Sequence, residues 1–181
     1  SVVAVDISNG AIVTYLSSPS FSVNKIANGL SQNDFNELIE DKNKPFFDRA
    51  AQGRYSPAST IKPAIGLFGL ENNIIDWDFT IDDPGYFELP EDGRIYRGWK
   101  KGGHGKINLQ DAIIESSNTF FFSLAYKSEI EELIKHLSYF GFGRNVCLDC
   151  FLPDNGLLPN PAWKMNTLNF GWFKGDTVNL G

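Results

Sequence analysis

Sulfur and imidazole are scarce in this chain, which has one methionine, two cysteines and two histidines among 181 residues. Two cysteines cannot build the disulfide framework of a small secreted scaffold, and together with two histidines they leave few donors for a structural metal. No apolar run approaches the roughly 18–20 residues that cross a bilayer as a helix, and no signal-peptide pattern opens the sequence. Basic side chains are in deficit, 16 against 22 acidic, for a net charge of −6. A nucleic-acid scaffold needs the opposite balance, so that class is set aside. Internal repeats and low-complexity tracts are absent as well.

What the chain does have is apolar and aromatic material. It is 42% hydrophobic and carries 15 Phe, 6 Tyr and 4 Trp, enough for a folded core and too much for a disordered linker. The length suits one domain of ordinary size. The sequence begins inside an apolar run, Ser1-Val-Val-Ala-Val5, and stops at Gly181 without a polar tail, so a piece of something longer is expected.

Residues 2–7 and 11–16 are β-rich runs separated by Ser8-Asn9-Gly10, a strong hairpin signal because Asn and Gly tolerate positive φ. Ser31 with Asp34 resembles a capping box that opens a helix to about residue 40. Residues 59–70 read as a mostly buried helix, its start pinned near Ser59 because Pro63 is tolerated only in a first turn. Residues 72–105 read as irregular. Asn108 caps a helix to about residue 115, the Ser116-Ser117-Asn118 sequence interrupts it, and an apolar helix resumes at Thr119. Ser128 with Glu131 suggests another capping box for a helix whose apolar face is Ile130, Leu133, Ile134 and Leu137, closed by Gly141. Glu129, Glu131 and Glu132 suit its first turn. Beyond residue 145 little is periodic. A hairpin followed by several helices predicts an α/β (α+β) fold with helices grouped against a sheet.

The candidate chemistry is Ser59-Thr-Ile-Lys62. Three-residue spacing on a helix puts both side chains on one face, so an amine can reach a hydroxyl. A serine hydroxyl is a weak nucleophile until a base takes its proton. Lysine serves as that base only when burial or a neighbouring cation lowers its pKa from about 10.4. Spacing alone is weak: a chain with 14 serines and 11 lysines is expected to hold about one such pair by chance, and this one holds two. Ser22-Val-Asn-Lys25 lies in a polar stretch with no helix expected after it. Ser59 differs by having Pro57 before it, Pro63 after it and an apolar helix downstream. The alternative for Ser59 and Lys62 is a solvated cap serine beside a surface lysine. Ser116 and Asn118, at a break between helical segments, are placed to present polar groups into a cavity, or simply to connect two helices.

Taken together, Gln52-Gly-Arg-Tyr-Ser-Pro-Ala-Ser59-Thr-Ile-Lys62-Pro63 and Glu115-Ser116-Ser117-Asn118-Thr119-Phe120-Phe121 resemble the class B penicillin-binding transpeptidases. The intervening Tyr96-Arg-Gly-Trp99-Lys-Lys-Gly-Gly-His104-Gly105 is similar to the elongation-associated group of Gram-negative rods, as is Gly175-Asp176-Thr177. The resemblance implies a central antiparallel sheet flanked by helices and a D,D-transpeptidase that cross-links peptidoglycan stem peptides through an acyl-serine and is acylated by β-lactams. It implies Ser59 as nucleophile, Lys62 as general base, Ser116 as proton relay toward the leaving group and Asn118 as a contact to the substrate backbone. It further implies a glycan-polymerising elongation partner and the periplasmic face of the inner membrane, with a single-pass anchor and pedestal outside these residues. No cofactor is expected.

Two departures stand out. The family's third motif, Lys-Thr/Ser-Gly, occurs nowhere in the 181 residues; the chain alone is therefore expected to be a partial, inactive transpeptidase domain. Some relatives carry a zinc site of two Asp, one His and one Cys, and the matching positions here are Asp83, Gly98, His104 and Ser117. Two donors fall below the four of a closed site, so no metal is expected, and His104 is read as ordering its glycine loop. Cys147-Leu-Asp-Cys150 precedes Phe151-Leu-Pro153 rather than opening a helix, which argues against redox chemistry and leaves a local disulfide or two free thiols. His136 is assigned to the solvated side of its helix. Tyr86, Phe87, Trp99, Trp163, Trp172 and Phe173 are read as core or loop anchors. The rival functions are a serine β-lactamase, for which no Glu-x-x-x-Asn segment is found, and a β-lactam sensor domain.

Overall fold

The structure, a computed structural model, describes residues 1–146 and 154–181. Cys147 and Cys150 lie outside the described residues. Two units are distinguished, Ser1–Tyr55 with Asn145–Gly156, and Ser56–Arg144 with Leu157–Gly181.

In the first unit, strands β1 (Val2–Val5) and β2 (Ile12–Leu16) pair antiparallel from Val2 opposite Leu16 to Val5 opposite Ile12. The connection works as its residue types require: the Asp6 carboxylate accepts from Ser8 N at 2.9 Å, and Gly10 takes φ +78°. Helix α1 (Val23–Ala27) follows, capped by Ser22, whose hydroxyl accepts from Lys25 N at 3.4 Å. This short helix departs from the sequence expectation. It accounts for the second Ser-x-x-Lys of the sequence as a helix cap. Helix α2 (Gln32–Glu40) starts at Ser31, whose Oγ accepts from Asp34 N at 3.1 Å, as the capping signature predicts.

The second unit carries the core. A 3-10 turn (Ala58–Ile61) leads into α3 (Lys62–Glu71). Strands β3 (Thr80–Asp83), β4 (Tyr86–Glu88), β5 (Ile95–Arg97) and β6 (Gly105–Asn108) come next, then helices α4 (Leu109–Ile114), α5 (Asn118–Lys127), α6 (Ile130–Tyr139), α7 (Pro161–Leu168) and α8 (Lys174–Leu180). β3 pairs with β6 and β4 with β5, both antiparallel. With β1 and β2 they make three two-stranded sheets among the described residues. Helix α5 packs against α3, α4 and α8 and the strands β3, β4 and β5. Its Phe120, Phe121 and Leu124 are at most 1% exposed and share one core cluster with Ile65 and Phe68 of α3 and Leu133 and Leu137 of α6. Phe68, Phe120 and Phe121 are the aromatic side chains buried in this core, with Phe120 edge-on to Phe121 at 5.5 Å.

The mixed α/β class is the one expected from the sequence. Several local expectations are corrected. Residues 72–105 are not irregular: they hold β3, β4 and β5, each only three or four residues long, too short for alternation to register. Ser128 does not cap α6. Its hydroxyl donates to Leu124 O at 2.8 Å, at the end of α5, and Glu129 takes the cap position without a side-chain bond. His136 is 8% exposed rather than solvated. Its Nε2 lies 2.9 Å from Ala64 O, and its ring stands between those of Phe68 and Phe140, so it ties α6 to α3. The stretch beyond residue 145 contains α7 and α8. Asn160-Pro161, a cap followed by proline in the first turn, is an available start signal for α7.

Candidate active site

Ser59 lies in the 3-10 turn and Lys62 is the first residue of α3, so the local fold brings the pair onto one face within a single turn. Pro63 occupies the first turn of α3, where a missing N–H costs nothing. The residue ahead of the serine, Ala58, has φ +48°, a left-handed conformation that costs a non-glycine residue about 1–2 kcal/mol. Ser59 is exposed, whereas Lys62 is 5% exposed.

The end of α4 and the start of α5 deliver the second half. Ser116 has φ +53° and turns the chain between the two helices. Lys62 Nζ donates to Ser116 O at 2.8 Å, Ser116 Oγ at 3.1 Å and Asn118 Oδ1 at 2.7 Å. Those three acceptors match the three N–H groups of an ammonium. The Phe121 ring centroid lies 5.5 Å from the same nitrogen. Ser116 Oγ is 3.0 Å from Ser59 Oγ, so the Ser116 hydroxyl bridges Ser59 and Lys62. Burial pushes the Lys62 amine below its ordinary value, the direction a general base requires. The four residues singled out from sequence are therefore brought together, and the reading of Lys62 as a surface lysine is excluded by its burial. Sequence reasoning missed Phe121 and the strained Ala58. Neither carries a signal of its own, since one is a core aromatic and the other an alanine.

Behind Ser116 is a buried polar cluster. Asp83, at the end of β3, is 2% exposed. Its Oδ1 accepts from Gly85 N at 2.7 Å, and its Oδ2 accepts from Ser117 Oγ at 2.8 Å and lies 2.7 Å from His104 Nδ1. Burial opposes ionisation of this carboxyl, yet the bonds from His104, Ser117 and Gly85 together hold it below the usual carboxylate range. His104 N also donates to Asp83 O at 3.1 Å. Gly103 packs so closely there that a Cβ would strike the Asp83 carbonyl. These are the positions that match the zinc ligands of some relatives, and their chemistry does not fit that ion. Ser117 supplies a neutral alcohol already bonded to Asp83, and Gly98 supplies no donor. Among the described residues no three His, Cys, Asp or Glu side chains gather to hold a metal.

Trp99, 63% exposed, donates its indole N–H to Glu115 O at 3.1 Å and meets the His104 ring at 5.6 Å, at the rim of the Ser116 turn. The Gly175-Asp176-Thr177 segment is used for packing. Asp176 accepts from Phe173 N at 2.7 Å and Lys164 Nζ at 2.6 Å, Thr177 accepts from Trp172 Nε1 at 2.9 Å, and Tyr96 OH donates to Gly175 O at 3.2 Å.

Comparison with known proteins bears on this arrangement. Residues 1–180 match the family described as penicillin binding protein transpeptidase domain. The peptidoglycan D,D-transpeptidase MrdA of Acinetobacter baumannii is 42% identical over 180 residues, which is 99% of this chain and 27% of that protein. Crystallised PBP2 of Pseudomonas aeruginosa, in complex with WCK 5153, superposes with a TM-score of 0.89 at 36% identity over 97% of this chain and 40% of that one. PBP2 of Helicobacter pylori, in a complex with MreC, gives 0.90 at 34% identity over 97% of this chain and 32% of that one. The chain thus spans about a quarter to two fifths of these proteins, and over that span, with its bridged serines and buried lysine, it belongs to the penicillin-binding protein transpeptidase domain family.

Proposed function

We propose that this chain is the nucleophile-bearing part of a peptidoglycan D,D-transpeptidase that cross-links stem peptides during cell elongation and is acylated by β-lactams. The observation that carries the reading is the Ser116 hydroxyl between Ser59 Oγ, at 3.0 Å, and a buried Lys62 amine, at 3.1 Å. Similarity to MrdA and to two PBP2 structures supports the substrate class.

The proposed chemistry runs along this hydrogen-bonded path. With Lys62 neutral, the proton of Ser59 passes through Ser116 to the amine as Ser59 Oγ bonds to the penultimate D-Ala carbonyl carbon. Collapse of the tetrahedral adduct breaks the peptide bond, and the proton held at Lys62 returns through Ser116 to the departing D-Ala nitrogen. An acyl-serine remains. The amine of a second stem then attacks that ester, gives its proton back along the same path and releases Ser59. Water in place of the amine yields the carboxypeptidase product. Asn118 bonds the substrate backbone with its amide N–H in this reading, which its Oδ1 contact to Lys62 supports by leaving that N–H group available as a donor. Asp83 and His104 do not touch the reacting atoms.

The stems are carried on glycan, so the enzyme works with a glycan-polymerising partner, and the reaction belongs on the periplasmic side of the inner membrane. No helix among the described residues is long and apolar enough to cross a membrane. The test is to incubate the full-length protein with polymerised glycan bearing stems that end in D-Ala-D-Ala. Cross-linked dimer and free D-alanine are expected from the unsubstituted protein and neither from Ser59→Ala; equal product from both would refute the reading. Rapid release of hydrolysed penicillin would instead favour the β-lactamase.

A further inference from the structure

The turn that delivers Ser116 is held in an unfavourable conformation, and the structure shows what holds it. A serine at φ +53° lies in the left-handed region, which its Cβ disfavours relative to the right-handed alternative. Relaxation of that one torsion would swing Ser116 Oγ away from both Ser59 and Lys62. The next residue, Ser117, is fully buried and fixed from three directions. Its backbone N–H donates to Ala112 O at 2.9 Å and closes α4. Its hydroxyl accepts from Phe120 N at 3.2 Å, capping α5, and donates to Asp83 Oδ2 at 2.8 Å. A hydroxyl has one proton and two lone pairs, so it serves both bonds at once.

Asp83 is itself immobilised. Gly85 N at 2.7 Å and His104 Nδ1 at 2.7 Å fix the carboxylate, and the β3–β6 ladder places it with Asp83 opposite Gly105. The His104 side chain is 5% exposed, and the Trp99 ring closes over it. Resting on the catalytic reading of Ser59, Lys62 and Ser116 given above, we infer that the Asp83–Ser117 hydrogen bond, braced by His104, is the positioning device that keeps Ser116 between the nucleophile and its base, in place of the metal ion that some relatives use. Asp83 and Ser117 act through Ser116 and Asn118, the two neighbours of Ser117 whose atoms meet Lys62. The device is a buried anion with three donors around it. Such a group is stable where it is fully bonded and costly to leave half-bonded.

The experiment uses the full-length protein and stopped-flow acylation by a fluorescent penicillin, with drug concentration varied to separate initial binding from the acylation step. Ser117→Ala is expected to slow the acylation step about tenfold or more while the dissociation constant of the first complex changes less than about twofold. A purely structural role would lower the amount of active protein and leave the rate of the remainder unchanged. Asp83→Asn keeps the shape, removes the charge and carries the test should Ser117→Ala not fold; it is expected to be about fivefold slower or more. His104→Gln, which retains a donor for Asp83, is expected to stay within about threefold of the unsubstituted protein. Protein produced with added zinc is expected to contain far less than one zinc per chain and to acylate at the same rate after dialysis against a chelator. Acylation of folded Ser117→Ala and Asp83→Asn at the unsubstituted rate would overturn the proposal, as would one zinc per chain whose removal stops acylation. An unsubstituted protein that forms no adduct would overturn the catalytic reading, and this proposal with it.

Discussion

The proposed mechanism asks the Lys62 amine to be both a charge held in a buried pocket and, at the moment of reaction, a neutral base. Three acceptors at 2.7–3.1 Å and the Phe121 ring answer the first demand, and burial, which pushes the amine below its ordinary value, answers the second. The acylation rate should therefore rise with pH to a midpoint below the ordinary lysine value of about 10.4. The sign for stability follows the same shift. The unfolded chain holds this proton more tightly, so the penalty of the buried charge is present at low pH and is relieved as pH rises from the folded value to the unfolded one. Lys62→Arg, which keeps its proton throughout, should lose about 10²–10⁴-fold in acylation rate by stopped-flow fluorescence. At Ser116 rate and stability should part. Both Ser116→Gly and Ser116→Ala remove the bridging hydroxyl and should acylate slowly, but glycine accepts φ +53° and should melt higher than alanine by the equivalent of about 1 kcal/mol in scanning calorimetry. At this scale the sequence is legible where chemistry is local. Ser59 and Lys62 share a turn, and a proline and an apolar helix mark them out. The same spacing at Ser22 and Lys25 is a cap, which shows that spacing without burial decides nothing. The work of Ser117 depends on a carboxylate 34 positions away, which no local pattern reveals.

Among the elements, α5 governs the position of the site, because its first turn carries Asn118 and its apolar residues pack α3 from behind. The fit between the two helices is close at Gly69, where an added Cβ would fall 2.9 Å from Leu124 Cδ1 and 3.0 Å from Ile75 Cγ1. Leu124→Ala, at a fully buried position, should destabilise this unit by about 2–5 kcal/mol, read as a lowered melting transition, and should slow acylation by loosening α3 against the Ser116 turn. His136 holds α3 from another side, tying α6 to it through Ala64 O. Its sequence position suggests solvent because one polar residue on an amphipathic helix reads as the outer face. What overrides that reading is a carbonyl of α3 within reach, with Phe68 and Phe140 on either side. Helices with a cap signature or a periodic apolar face, α2, α4 and α6, are legible from their own residues. The short strands β3, β4 and β5 are not, because their partners come from tertiary pairing such as Asp83 opposite Gly105 and Tyr86 opposite Arg97 rather than from their own pattern.

For the whole molecule, these 181 residues hold Ser59, Lys62, Ser116 and Asn118, the proposed nucleophile, base, relay and substrate-binding amide, and they contain no Lys-Thr/Ser-Gly sequence. The family resemblance implies that the strand bearing that sequence supplies one oxyanion N–H, and loss of a single such donor costs about 3–4 kcal/mol in comparable serine hydrolases. The 181-residue chain produced alone should thus label with fluorescent penicillin at least about 10²-fold more slowly than the full-length protein. Family membership and the fold class are readable from motifs taken jointly, although each is weak alone, because order and spacing along a chain are far harder to match by accident than any one triplet. The most direct test of the nucleophile, and of everything built around it, is to acylate the full-length protein with penicillin, digest it and locate the adduct by mass spectrometry. One penicilloyl group on Ser59 and none in Ser59→Ala is the predicted result; an adduct on another residue, or a Ser59→Ala protein that labels at the unsubstituted rate, would contradict it.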